Sequence, residues 1–252
     1  MLVGNYLNQN EIDDLVNSLE NQKKFTNLIS EMKKFINFEF IKDDLDVILG
    51  LKFDVMRENE LISAQSLYLQ ITEDVRVRYI RRFSSEKPED LKDFFVGEIL
   101  NSRDDGDGLE VLNFKAENDF YITLKESHWS EEALVESLEQ NKKEEEEFPI
   151  NADYYPGMLA EIEVGTEAWY SGCLPGGYRW CGEGCGGSIA CNSSTHGVNS
   201  LDACCKNHDC CYARNGAKHP NCYCDRILCN CSQNAPFAWN KAIVEVAMCF
   251  SC

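Results

Sequence analysis

Cysteine is absent from the first 165 residues of this 252-residue chain, and no stretch of the sequence approaches 18 consecutive apolar residues. The second absence excludes a helix that spans a membrane. Basic side chains are also scarce in those 165 residues, where 18 lysines and arginines stand against 37 aspartates and glutamates. The formal net charge of −19 therefore lies there, and so acidic a surface argues against nonspecific binding to nucleic acid.

The carboxy-terminal part of the chain has a different character. All 14 cysteines fall within 173–252, and residues 166–252 carry six acidic and six basic side chains. This contrast predicts two domains. We expect an acidic, cysteine-free domain over 1–150, a linker over 151–167 and a cysteine-rich domain over 168–252.

The hydrophobic pattern predicts that the acidic domain is of the α+β class. Apolar residues recur at three- and four-residue steps over 11–36, which indicates one long amphipathic helix. Alternation and turn signals predict strands at 66–72, 75–80, 109–115 and 118–125. Two further helices are predicted, one that starts at Pro88 and one over 129–147. No catalytic cluster is visible in this domain. Its acidic surface could bind a protein partner.

The density of cysteine in the carboxy-terminal domain is that of a domain in which disulfides replace a large apolar core. Fourteen cysteines in the last 80 residues indicate a disulfide framework and an oxidising compartment, so we expect a secreted or extracellular protein. Structural zinc is the alternative, but only Cys181 and Cys185 have a spacing common in zinc sites. The first ten residues show neither the basic nor the apolar region of a secretory signal, so the route of export stays open.

One predicted helix contains the residues that suggest chemistry. The segment Ser200–Tyr212 begins with a residue that can cap a helix. On such a helix Cys204, His208 and Cys211 share one face, at steps of four and three residues. Asp209 follows the histidine and supplies a hard oxygen ligand for a cation.

A second predicted helix, over 222–231, repeats the seven-residue spacing between two of its cysteines. Two antiparallel helices in this register could be joined by two bridges, Cys211–Cys224 and Cys204–Cys231. This arrangement brings Asp225 beside His208. A histidine that a buried carboxylate orients is the usual form of a general base.

A glycine-rich loop, Trp180-Cys-Gly182-Glu-Gly184, precedes the first of these helices. Its glycines permit positive φ angles and inward-facing carbonyls, which an oxygen-liganded cation requires. Over residues 168–252 the chain resembles the secreted, calcium-dependent phospholipase A2 family. Three motifs carry the resemblance: the loop, Cys204-Cys-x-x-His208-Asp209-x-Cys211-Tyr212, and Cys224-Asp225.

The resemblance implies a small disulfide-rich α-helical fold that hydrolyses the sn-2 ester of glycerophospholipids at a membrane surface. The products would be a free fatty acid and a lysophospholipid. It implies that His208 activates water, that Asp225 orients the imidazole and that Tyr212 supports Asp225. It also implies a Cys181–Cys205 bridge and a set of Ca²⁺ ligands: Asp209 and the carbonyls of Trp180, Gly182 and Gly184.

Two alternatives to an enzyme stay open from the sequence. One is a phospholipase A2-like binding or toxin module without turnover, and the other is a reduced domain that clusters metal ions through thiolates. The pairing of the other eight cysteines is also open, and a bridge between Cys185 and Cys191 is one option.

Overall fold

Seven strands form a single antiparallel sheet in the computed structural model, and they lie in the sheet in the same order as in the chain. The strands are β1 (Leu2–Tyr6), β2 (Asp46–Arg57), β3 (Glu60–Thr72), β4 (Val75–Phe83), β5 (Lys92–Ser102), β6 (Leu109–Ala116) and β7 (Ile122–Trp129). The structure describes residues 2–57, 60–83, 91–103, 106–162, 172–182, 184–186, 191–192, 194–216 and 220–250.

Seven α-helices and one short 3-10 helix (Lys42–Asp44) are found among these described residues. The α-helices are numbered in chain order. They are α1 (Gln9–Leu19), α2 (Lys23–Met32), α3 (Glu131–Glu147), α4 (Met158–Glu161), α5 (Ser200–Asn215), α6 (Cys222–Asn234) and α7 (Trp239–Met248). In the described part of the chain, none of them is long and apolar enough to cross a membrane.

The predicted strands at 66–72, 75–80 and 109–115 are confirmed as parts of β3, β4 and β6. The strand predicted at 118–125 overlaps β7 only over 122–125, and the helix predicted at 129–147 is confirmed from Glu131 onward as α3. The single helix over 11–36 is wrong, because two helices, α1 and α2, share its periodicity. A capping box between Asn8 and Glu11 starts α1, and the chain turns at Asn21 before α2 begins. Both helices direct apolar residues into one core, which explains the continuous pattern.

The helix predicted to start at Pro88 is also wrong where it can be compared. Pro88 lies outside the described residues, and the residues from Lys92 onward form strand β5. Most of this strand is buried on both faces, so its apolar run does not alternate. Short apolar runs of this kind do not distinguish a strand from a helix.

The described chain divides into two compact units, which we call the sheet unit and the disulfide unit. The sheet unit contains Asn5–Phe53 and Ser63–Glu131, and the disulfide unit contains Met1–Gly4, Asp54–Ile62 and Glu132–Cys252. In the sheet unit, α2 packs so closely on β5 that a Cβ added to Gly97 would lie within 3 Å of Met32. Glycine at position 97 therefore leaves room for the end of the Met32 side chain, which a larger residue would displace.

The units are not divided at residue 150, where the sequence placed its boundary. The end of β2 and the predicted linker at 151–167 share a buried cluster, because Asp54 accepts hydrogen bonds from the Tyr154 hydroxyl (2.9 Å) and the Leu159 N–H (3.0 Å). Helix α3 also contacts the cysteine-rich chain, since buried Glu144 accepts from the Tyr178 hydroxyl at 2.7 Å. These buried polar contacts place α3 in the disulfide unit.

Candidate active site

Helix α5 supplies His208 and Asp209, and its two ends are well capped. The Asn199 side chain accepts a hydrogen bond from the Asp202 N–H at 2.8 Å, so Asn199 is the N-cap. The expectation that Ser200 caps the helix is wrong, because Ser200 is the first helical residue. Gly216 ends the helix in the left-handed conformation that favours glycine.

Helix α6 supplies Asp225 and is joined to α5 by two disulfides. Asn221 caps its amino terminus by accepting hydrogen bonds from two backbone N–H groups of the first turn. The bridges between the helices are Cys211–Cys224 and Cys204–Cys231. Because the order of the partners is reversed along the two helices, α5 and α6 run antiparallel, in the register that the cysteine spacing predicts.

This register brings His208 and Asp225 into contact in the interior of the unit. His208 Nε2 lies 3.0 Å from Asp225 Oδ1, which also accepts a 2.8 Å hydrogen bond from the Tyr212 hydroxyl. The Tyr212 oxygen in turn accepts from the Asn221 N–H at 2.6 Å. With Nε2–H donating to Asp225, Nδ1 is the ring nitrogen of His208 that can accept a proton. This nitrogen lies 3.4 Å from Asp209 Oδ1.

The electrostatics of the pair favour a charged Asp225. Burial opposes ionisation of Asp225, but hydrogen bonds from His208 and Tyr212 lower its pKa below the ordinary value. Burial likewise opposes protonation of His208, whereas hydrogen bonds and charges of Asp209 and Asp225 raise its pKa. Burial and the bond to Asp225 raise the pKa of Tyr212 to about 12, so the phenol stays a donor.

The predicted calcium ligands gather around the same cavity as His208. Trp180, Gly182, Gly184 and Asp209 all line it. Gly182 and Gly184 have φ angles of 131° and 75°, and the Cys181–Cys205 bridge joins the loop to α5. Within the described ranges, no three His, Cys, Asp or Glu side chains form a metal-binding group. A cation here would depend on backbone carbonyls together with Asp209, a set of hard oxygens that fits Ca²⁺.

Asp202 anchors this loop, which sequence reasoning did not anticipate. The fully buried carboxylate accepts hydrogen bonds from four backbone N–H groups, those of Arg179, Trp180, Cys181 and Val198. In the sequence Asp202 is only an acidic residue in the first turn of a helix. Its role depends on how the loop folds back over that turn, and no local pattern signals this.

The cavity has a volume of about 350 Å³ and is lined by both polar and apolar groups. His208 and Asp209 are among the polar residues that line it. The apolar walls come from both ends of the chain: Leu2, Val55 and Met56 on the β-strands, and Leu228, Val244 and Met248 on the helices. Sequence reasoning missed the strand residues, because their approach to the site is a long-range contact.

Six disulfides join described residues. Besides the three already named, they are Cys173–Cys185, Cys191–Cys210 and Cys229–Cys249. The suggested Cys185–Cys191 bridge is therefore wrong. Among the described residues no cysteine is free, so the thiolates that a zinc site or a metal cluster needs are not available there.

Comparison with known proteins identifies no relative of this chain: no family model, curated protein or solved structure matches it. A functional assignment therefore depends on the motifs and on the geometry described above.

Proposed function

We propose that the carboxy-terminal residues form a phospholipase A2-like domain that hydrolyses the sn-2 ester of glycerophospholipids with the help of calcium. The observation that carries this proposal is the His208–Asp225 pair, 3.0 Å apart, in which His208 lines a cavity with apolar walls. An ester hydrolase that acts on lipids needs both a base for water and an apolar space for acyl chains.

In the proposed mechanism, His208 Nδ1 accepts a proton from the attacking water. Asp225 holds the ring in the tautomer with hydrogen on Nε2 and stabilises the imidazolium that forms, while Tyr212 fixes the carboxylate. The imidazolium then returns the proton to the leaving alkoxide of the lysophospholipid. Each of these steps uses a group of this chain.

Asp209 and the carbonyls of Trp180, Gly182 and Gly184 would hold the calcium ion. When bound, the ion would polarise the ester carbonyl and stabilise the charge that develops on its oxygen. The ion would also engage the Asp209 carboxylate, which now lies 3.4 Å from His208 Nδ1. The disulfides support a secreted or extracellular site of action.

Hydrolysis is tested by measuring fatty-acid release from phosphatidylcholine vesicles with calcium and with excess chelator. His208→Gln should lower the rate by about 10²–10⁴-fold without unfolding the protein, because it removes the base and keeps a similar volume. His196→Gln, at an exposed position, is the matched control and should retain the rate. Wild-type activity in His208→Gln would disprove the mechanism. A folded wild type without turnover would favour the binding or toxin module.

The ion is tested separately by calorimetric titration with calcium. Asp209→Lys should abolish binding, because an ammonium group would repel the cation. Magnesium should bind the wild type poorly, since it requires shorter bonds in near-octahedral geometry. Full hydrolysis in the presence of chelator would exclude the calcium role.

A further inference from the structure

Arg57, the last residue of β2, lies next to the proposed catalytic pair. Its side chain is 13% exposed, and its Nη2 is 3.8 Å from Oδ2 of the fully buried Asp225. Arg57 also lines the cavity that contains His208 and Asp209. It comes from the cysteine-free part of the sequence but belongs to the disulfide unit.

The two oxygens of Asp225 have different neighbours. Oδ1 accepts hydrogen bonds from His208 and Tyr212, whereas the Arg57 guanidinium faces Oδ2. A buried carboxylate needs charge compensation, because removing a charged group from water is energetically unfavourable. A guanidinium is charged at every relevant pH, so it can keep Asp225 ionised and limit rotation of the carboxylate.

We propose that Arg57 is a positioning residue of the active site, which acts on His208 through Asp225. The proposal rests on the proposed hydrolase function and extends it. If Asp225 rotates, Oδ1 no longer aligns with His208 Nε2, and Nδ1 loses its orientation toward water. Strand β2 therefore completes a site whose other polar groups lie between residues 180 and 225.

The competing role for Arg57 is direct contact with the substrate phosphate. The two roles predict different kinetics. A positioning residue affects kcat and depends on the Asp225 carboxylate, whereas a phosphate contact affects KM and does not depend on it. A double-mutant cycle separates them.

The experiment compares the full-length wild type with Arg57→Met, Asp225→Asn and the double variant, using a dispersed short-chain phosphatidylcholine. Arg57→Met should lower kcat by about 10-fold with KM within about 2-fold, as for other residues that orient a functional side chain. In the Asp225→Asn background it should change kcat by less than about 2-fold. Arg57→Lys should restore at least half of kcat, and Arg226→Met, which removes an exposed guanidinium from α6, should leave it unchanged.

An equal loss of kcat in both backgrounds, or a loss confined to KM, would overturn the positioning role. Wild-type kcat in Arg57→Met would overturn it too and leave the proposed function intact. If the wild type does not hydrolyse phospholipid, the proposed function fails, and the same four proteins still test the Arg57–Asp225 pairing by their unfolding midpoints. Additive shifts in those midpoints would show that the two side chains are not coupled.

Discussion

The sheet unit and the disulfide unit bury different kinds of side chain. Among the described residues, the disulfide unit buries five carboxylates, those of Asp54, Glu144, Asp202, Asp225 and Glu245, whereas the sheet unit buries Glu98 alone. The sheet unit instead has a large apolar core that α1 and α2 share with the strands. Burying a charge is costly, so the two units cannot owe their stability to the same interactions.

The difference shows how the proposed site can exist in a unit that buries so many carboxylates. Asp202 and Asp225 are needed where they are, one to anchor the loop and the other to orient His208. Neither contributes apolar area to the core. Six disulfides constrain the unfolded chain and offset this cost, each by about 2–4 kcal/mol. The sheet unit buries few charges and has no cysteine.

Of the tests of this difference between the units, reduction of the disulfides should have the largest effect on stability. At about 2–4 kcal/mol for each bridge, losing six of them would remove a free energy comparable to or larger than the roughly 5–15 kcal/mol that typically stabilises a domain. We expect α5, α6 and α7 to lose protection from hydrogen exchange, while β3 to β6 keep theirs. Helix α3 should lose protection as well, although it contains no cysteine, because its buried contacts lie within the disulfide unit.

Hydrogen exchange followed by mass spectrometry, with and without reductant, gives this result segment by segment. Retained protection in α3 would return the boundary to residue 150, as the sequence predicts. Equal loss in both units would show that the chain unfolds as one cooperative domain. Vesicle hydrolysis should disappear with the protection of α5, and activity that survives full reduction would mean that the bridges do not support the site.

The part of this architecture that was predictable is local. The seven-residue spacing of cysteines on two helices is enough to define the α5–α6 register, because helix geometry and disulfide reach leave little freedom. That register is what brings Asp225 to His208. The pattern also predicts β3, β4 and β6, and it predicts β7 in part.

The unpredicted parts depend on long-range contacts or on weak local signals. Arg57 meets Asp225 across most of the chain, and nothing near either residue marks the pairing. The break between α1 and α2 at Asn21 contains neither glycine nor proline, so the periodicity runs through it. The role of β2 at the site is not predicted, because it depends on the contact between the end of this strand and residues of the cysteine-rich part of the chain.

A smaller effect should follow from Asp202→Asn, which tests whether a single buried carboxylate holds the glycine-rich loop. Asparagine can accept with only one oxygen, and its amide group would face backbone N–H donors. We expect the free energy of unfolding to fall by about 3–4 kcal/mol, since each unsatisfied buried donor costs about 1–3 kcal/mol. Calcium affinity should fall with it, because the carbonyls of Trp180 and Gly182 lose their support.

Urea unfolding and calcium titration measure the two effects, and the exposed Asp153→Asn is the matched control. A stable Asp202→Asn with unchanged calcium affinity would show that the loop is held by its disulfides alone. The disulfides alone, without the buried carboxylates, would then explain how the two units differ.

The smallest predicted effect concerns Glu144, the carboxylate by which α3 contacts the disulfide unit. Burial raises its pKa from 4.5 to about 7, although hydrogen bonds from Tyr178 and Asn240 oppose the shift. The folded state therefore binds this proton more tightly than the unfolded state does, so the free energy of unfolding should decrease as the pH rises from about 4.5 to 7. This pKa shift corresponds to a decrease of at most about 3 kcal/mol in the free energy of unfolding.

Glu144→Gln removes the titration, so its unfolding free energy should change less between pH 5 and pH 8 than that of the wild type. Glu139→Gln, at an exposed position of the same helix, should keep the wild-type dependence. Urea unfolding at the two pH values, monitored through α3 by hydrogen exchange, measures the slope. An identical slope in all three proteins would mean that Glu144 does not change its protonation on folding. Glu144 would then be charged in both states, and it would contact Tyr178 and Asn240 as a carboxylate. In that case all five buried carboxyl groups of the disulfide unit could be charged in the folded protein.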